Sequence, residues 1–246
     1  MDKFDSVKIL KNNYEQILKK VTETALKCNR NPDEIKILAV SKTHNYEIIM
    51  QAIQAEIPIF AESYAQEFRD KNKNLISYYQ NKNLETPKFE WHFIGHLQAN
   101  KVKYLVPFVK TIHTVDTVNL ANEINKYAEK HSKTIDILIQ INTSGETSKS
   151  GIEPEDCIQI AKNIEHLKNI NLIGLMTIGT FSEDEKIIRK EFTLLRNCLA
   201  EINFQLGLSL KELSMGMSHD FEIAIEEQAT MIRVGTAIFG KRILTK

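Results

Sequence analysis

Lys42 closes the first strongly apolar strand signal of the chain, Ile35-Lys36-Ile37-Leu38-Ala39-Val40-Ser41-Lys42, just ahead of Thr43-His44 and a helix-like stretch. Where strands and helices alternate, the carboxyl ends of the strands are where ligands collect. An amine held there, partly desolvated, has its pKa lowered toward neutrality and can form a Schiff base with an aldehyde. The plainer reading is a lysine that marks the solvated end of a strand. Two later segments bear on the choice. Leu213-Ser214-Met215-Gly216-Met217-Ser218 opens into a helix-like segment, and Arg233-Val234-Gly235-Thr236-Ala237 lies on the last strand signal. Ser214 and Thr236 would give hydroxyl donors to a phosphate, and Gly216 and Gly235 would let the main chain approach it. Alternatively these are turn residues, with Ser218 as the helix cap before Phe221.

The elements that must position these groups are read from periodicity. Strand-like runs lie at about 35–41, 58–62, 90–95, 111–115, 136–142, 172–178, 212–217 and 231–239. Between them are helical stripes, the clearest being Ile188, Phe192, Leu195, Leu199, Ile202 and Leu206. Weaker stripes start at Ile49, Tyr64, Val118 and Ile158, with a short group at Val102, Leu105 and Val106. An extra helix, about residues 3–28, precedes the first strand with Phe4, Val7, Leu10, Tyr14, Ile17, Val21 and Ala25 on one face. The pattern predicts an α/β fold, a single (β/α)8 TIM barrel over residues 1–246 with that added N-terminal helix. An open doubly wound sheet is the competitor, but no GxGxxG follows a strand and no composition break divides the chain. In a closed barrel the first and last strands are neighbours. Lys42 and the phosphate cradle then describe a receptor for a phosphorylated aldehyde, and pyridoxal 5′-phosphate (PLP) is the obvious candidate. Arg233 would point toward its ring, where a strong electron sink needs a carboxylate instead.

Composition narrows the class. Lys+Arg and Asp+Glu number 32 each in 246 residues, a balance that argues against nucleic-acid or membrane-surface binding by global charge. Cys28, Cys157 and Cys198 show no metal or CxxC spacing and read as reduced thiols of a cytoplasmic protein. No signal peptide or membrane span is visible. His92 and His96 are four apart, but on a strand such positions lie ~13 Å apart, which favours structural hydrogen bonding over a metal.

Six motifs in order along the chain carry a resemblance. They are Leu38-Ala39-Val40-Ser41-Lys42; Trp91-His92-Phe93-Ile94-Gly95-His96-Leu97-Gln98 with Asn100-Lys101; Gln140-Ile141-Asn142 with Lys149-Ser150-Gly151; Gly174-Leu175-Met176-Thr177; Leu213 to Ser218; and Arg233 to Gly240. From Ile35 to Arg242 the chain resembles the YggS/PROSC-type PLP-binding, or PLP homeostasis, proteins. The resemblance implies a barrel similar to the alanine racemase N-terminal domain, with PLP as a Schiff base on Lys42. It further implies that Ser214, Gly235 and Thr236 hold the phosphate and that Arg233 faces the pyridine nitrogen. Ser63, Met176, Ser218 and Lys149 complete the candidate cofactor-binding set, and Lys149 would add positive potential or accept PLP in transfer. Members are regarded as carriers or regulators of vitamin B6, which implies a monomer whose partners are PLP and apo-PLP enzymes. Two departures stand out: Ser63 replaces the family's Asn, and Gln228-Ala229-Thr230 replaces Gly-Ser-Thr. The rival readings are a PLP-dependent racemase or decarboxylase, for which no second domain is expected before Lys246; a Schiff-base aldolase; and a plain interaction module.

Overall fold

Short runs rich in β-branched and aromatic residues form eight parallel strands, each bonded to its sequence neighbour until the last pairs with the first. They are β1 (Lys36–Val40), β2 (Ile59–Glu62), β3 (Glu90–Phe93), β4 (Thr111–Val115), β5 (Ile135–Gln140), β6 (Ile170–Met176), β7 (Glu212–Met217) and β8 (Met231–Val234). The closing register sets Leu38 opposite Arg233 and Ala39 opposite Val234. This computed structural model describes residues 3–146 and 149–240. Arg242, where the resemblance ends, lies outside the described residues, as does the side chain of Phe4.

Helices α1 (Lys3–Lys27), α2 (Tyr46–Gln54), α3 (Ala65–Asn81), α4 (Val118–Lys130), α5 (Cys157–Ile164), α6 (Glu185–Leu206), α7 (Phe221–Glu226) and α8 (Thr236–Phe239) surround the strands. Side chains of Asn45, Thr117 and Asp184 cap α2, α4 and α6, and Gly207 ends α6 at φ 65°. A 3₁₀ segment, Ala99–Tyr104, takes the helix position between β3 and β4 and buries Val102. The extra helix buries Leu10, Ile17, Val21 and Ala25 and packs on α2, α7 and α8, covering the seam where β8 meets β1.

Alternation along the strands divides the interior into two layers. Outward residues join the large helix-facing core; Phe68 of α3, fully buried, meets Trp91 edge-on at 5.0 Å and stacks on Phe93 at 6.0 Å. Inside the barrel a small apolar cluster of Leu38, Val40, Ala61, Ile94 and Met231 fills one side. Buried His92, His113, Ser214 and Arg233 are held together by hydrogen bonds on the other.

The last strand is shorter than expected. β8 stops at Val234, because Gly235 turns away from extended geometry at φ −110°, ψ −80°, and residues 236–239 form α8 instead of strand. Ser218 is not the cap of α7 either. Asp220 occupies that position, and its carboxylate accepts from the Met217 N–H at 2.5 Å.

Candidate functional site

Arg233 is a buried charged group at the carboxyl ends of the strands. It is 5% exposed, and its guanidinium donates to Ser214 Oγ at 2.8 Å and to the Thr177 carbonyl at 2.7 Å. Burial pushes its pKa down to about 10, with Asp220 opposing, so it stays a cation at neutral pH. Arginine can only donate, so the Ser214 oxygen accepts from it. The same oxygen meets His113 Nδ1 at 2.9 Å, and His113 Nε2 shares one hydrogen with His92 Nδ1 at 2.8 Å. His92 Nε2 in turn faces the Glu90 carboxylate at 3.4 Å. Burial holds His113 well below the usual imidazole range, and it lowers His92 too, where Glu90 opposes. Both rings are thus neutral single-donor links.

Lys42 follows β1 by two residues and is half-buried. Together with Val40, Ser63, Ile94, Ile178, Met217, Ser218, Arg233, Gly235 and Thr236 it lines a cavity of about 330 Å³ at the strands' carboxyl ends. An adjoining lobe of about 290 Å³ shares Lys42, Ser63, Ile94 and Ile178 and adds Gln140 and Lys149. The close fit of this wall requires a glycine at 95, since a Cβ there would lie 1.9 Å from the Ser63 carbonyl oxygen. Lys149 pairs with Glu146 at 2.6 Å on the wall of the second lobe.

The structure therefore brings together Lys42, Ser63, Ser218, Arg233, Gly235 and Thr236, with Lys149 one lobe away. It does not bring Ser214 or Met176 to the cavity wall. Both are fully buried below it, and Ser214 already spends its hydroxyl on Arg233 and His113. On the wall at these strand ends stand Ser218 and Met217, with Ser214 and Met176 beneath. Sequence reasoning left out His113 and Phe181. His113 alternates inward with Thr111 on β4, a detectable signal; Phe181, 82% exposed beside His219, belongs to no periodic pattern.

A larger groove of about 850 Å³ opens near the other end of the barrel, lined by Arg30, Lys36, Arg196 and Glu212 among others. Two of its cations are paired, Lys36 with Glu212 at 2.8 Å and Arg196 with Glu227 at 2.7 Å, and no candidate residue lines it. Among the described residues no helix is long and apolar enough to cross a membrane.

Residues 10–242 match the family described as alanine racemase, N-terminal domain. A pyridoxal phosphate homeostasis protein of Aquifex aeolicus is 40% identical over 227 residues, covering 92% of this chain and 96% of that protein. The chain is also similar to the solved structure of PipY from Synechococcus elongatus with PLP bound, at 30% identity and a TM-score of 0.76, over 89% of this chain and 100% of that one. An alanine racemase of Clostridium difficile shares the fold at 16% identity, with a TM-score of 0.70 over 94% of this chain and 57% of that one. The racemase likeness gives the barrel alone; on the closer matches, the chain belongs to the pyridoxal phosphate homeostasis protein family.

Proposed function

We propose that this chain holds pyridoxal 5′-phosphate on Lys42 as a carrier or regulator of intracellular vitamin B6, without catalysing a reaction of its own. The observation that carries this is the single cavity shared by Lys42, Arg233, Ser218, Gly235 and Thr236. Its donor set fits the cofactor: hydroxyls and main-chain amides suit a phosphate, and a buried cation suits a ring nitrogen that must accept. Ser218, Gly235 and Thr236 would hold the phosphate, Arg233 would meet the pyridine nitrogen, and Ser63 would border the ring beside Lys42. When bound, PLP supplies an aldehyde whose carbon takes the lysine nitrogen with loss of water, and a ring that absorbs visible light. Arg233 does not donate a full proton to the ring nitrogen, which favours holding over carbanion chemistry. The homeostasis role named for the relatives points the same way.

Lys149 is proposed as a way-station for transfer to apo-PLP enzymes; unchanged PLP release by Lys149→Ala would remove it from that role. The three free thiols fit a reducing, cytoplasmic setting, and a monomer is proposed. The deciding experiment is the absorption spectrum of purified protein and of Lys42→Ala, followed by borohydride reduction and mass mapping. A visible band lost in Lys42→Ala, with the adduct on Lys42, is expected. An adduct on another lysine overturns the assignment, and a colourless protein that binds added PLP no better than Lys42→Ala returns it to an interaction module.

A further inference from the structure

Lys42 stands in a turn that its residue types do not favour. The His44 N–H donates to the Ser41 carbonyl at 3.1 Å, closing four residues with Lys42 and Thr43 at the centre. Thr43 adopts φ +70°. Positive φ at the third residue of such a turn is glycine's conformation. In a β-branched residue it crowds the main chain and persists only where the surroundings enforce it.

The enforcement comes from an ionic cluster buried at the end of β2 and on α3. Lys71 Nζ donates to the Ser41 carbonyl at 2.8 Å and to Glu62 Oε1 at 2.7 Å, and it pairs with Glu67 Oε1 at 2.5 Å. Ser41 Oγ donates to the same Glu62 oxygen at 2.7 Å, and the Thr43 N–H donates to Glu67 Oε1 at 2.6 Å. The residue before Lys42 is thus tied to Lys71 and Glu62, and the residue after it to Glu67. Lys71 is 6% exposed and Glu62 fully buried, with Glu62 Oε2 unpartnered among the described residues. A buried ion cluster is a weak source of net stability, because desolvation offsets the attraction. Its geometry has a clear object here: all three side chains converge on the two ends of one strained turn, yet none of them lines either lobe of the cavity.

We propose that Lys71 is a positioning residue of the Lys42 site, which, with Glu62 and Glu67 as counter-charges, clamps the Ser41–His44 turn so that Lys42 is presented to the cavity. The inference rests on Lys42 being the PLP attachment point. It acts through the main chain on either side of Lys42 and needs no contact between Lys71 and the ligand.

The test titrates PLP into wild type, Lys71→Met and Lys71→Met/Thr43→Gly, reading the visible band and borohydride-trapped adduct, with thermal unfolding to confirm folding. Methionine keeps the length and removes the charge, and glycine occupies the turn without a clamp. Lys71→Met is expected to weaken PLP binding roughly tenfold, the scale of one strained residue, and to shift the band. Thr43→Gly should restore most of both. If Lys71→Met does not fold, Glu67→Gln with and without Thr43→Gly carries the same comparison at the partly exposed member of the cluster. Binding and band equal to wild type, or a loss that Thr43→Gly leaves unrestored, overturns the proposal. Wild type trapping no adduct on Lys42 overturns the attachment point itself, and so separates the two failures.

Discussion

Acid should loosen this protein through one histidine. His113 is fully buried between Ser214 and His92, and burial, reinforced by His92 and Arg233, holds it well below the usual imidazole range. In the unfolded chain the same ring titrates near pH ~6.5. Below that value the unfolded state takes up a proton that the folded state refuses, so folding stability falls as pH falls. The contribution is fully present above about pH 7 and is lost progressively below ~6.5, on the order of 1 kcal/mol by pH 5.5. His92 acts in the same direction, less so because Glu90 favours its charged form. Buried Glu62 acts oppositely: burial raises its pKa, so acidification relieves the folded state of a charge.

These opposing groups make the useful quantity a difference between two proteins. His113→Gln keeps an acceptor for Ser214 and a donor for His92 but does not titrate. Urea unfolding of both proteins at pH 7.5 and pH 5.5 yields two losses of stability. The wild-type loss is expected to exceed the variant's by about 1 kcal/mol, whatever the variant's starting stability. Equal losses would refute a neutral His113 in the buried network behind Arg233.

Two further outcomes separate features that the sequence alone confuses. Ser218→Ala should weaken PLP binding about tenfold by removing a charge-assisted hydrogen bond, with unfolding nearly unchanged; Ser214→Ala should instead cost about 1–3 kcal/mol of stability, because it strips an acceptor from Arg233 and the hydrogen-bond partner of His113 Nδ1. The reverse pattern in titration and urea unfolding would restore Ser214 to the phosphate. Gln228 is exposed at φ 79° in the turn before β8, so Gln228→Gly should stabilise by about 0.5–1 kcal/mol and raise Tm by ~1–4 °C; a lower Tm by scanning calorimetry would mean that the glutamine side chain holds the turn.

The alternation of strands and helices was legible because each element carries its own period. The α6 stripe from Ile188 to Ile202 is buried as its spacing predicts. The end of β8 was not, since Ala237-Ile238-Phe239 is as apolar as a strand, and only the local geometry of Gly235 makes it helix. Ser214 in β7 and Ser218 just past its end show why depth was harder to read than face. Pairing with β8 places Ser214 opposite Met231 and Met217 opposite Arg233, with a register shift between them. That shift sets one serine deep beside the guanidinium and the other at the rim, and residue type cannot specify it. Lys71 was hidden differently. A lysine on a helix between Glu67 and Lys73 reads as part of a solvated face, and only docking of α3 onto the ends of β1 and β2 buries it.

The two deep cations, Arg233 and Lys71, account for different halves of the candidate site. Arg233 must reach Ser214 Oγ and the Thr177 carbonyl at once, a span that two nitrogens of a planar guanidinium cover in fixed geometry and a single ammonium does not. It is thereby anchored from β7 and from the residue just past β6, while its own strand is β8. Lys71 has the opposite task. Its three acceptors come from a turn, a strand end and its own helix, an irregular set that a rotatable ammonium can satisfy and a flat fork cannot. One cation fixes the rigid wall of the cavity, and the other fixes the loop that brings the amine to it. The position of Lys42 relative to Arg233 is therefore decided by two groups of unlike shape, and neither would serve in the place of the other.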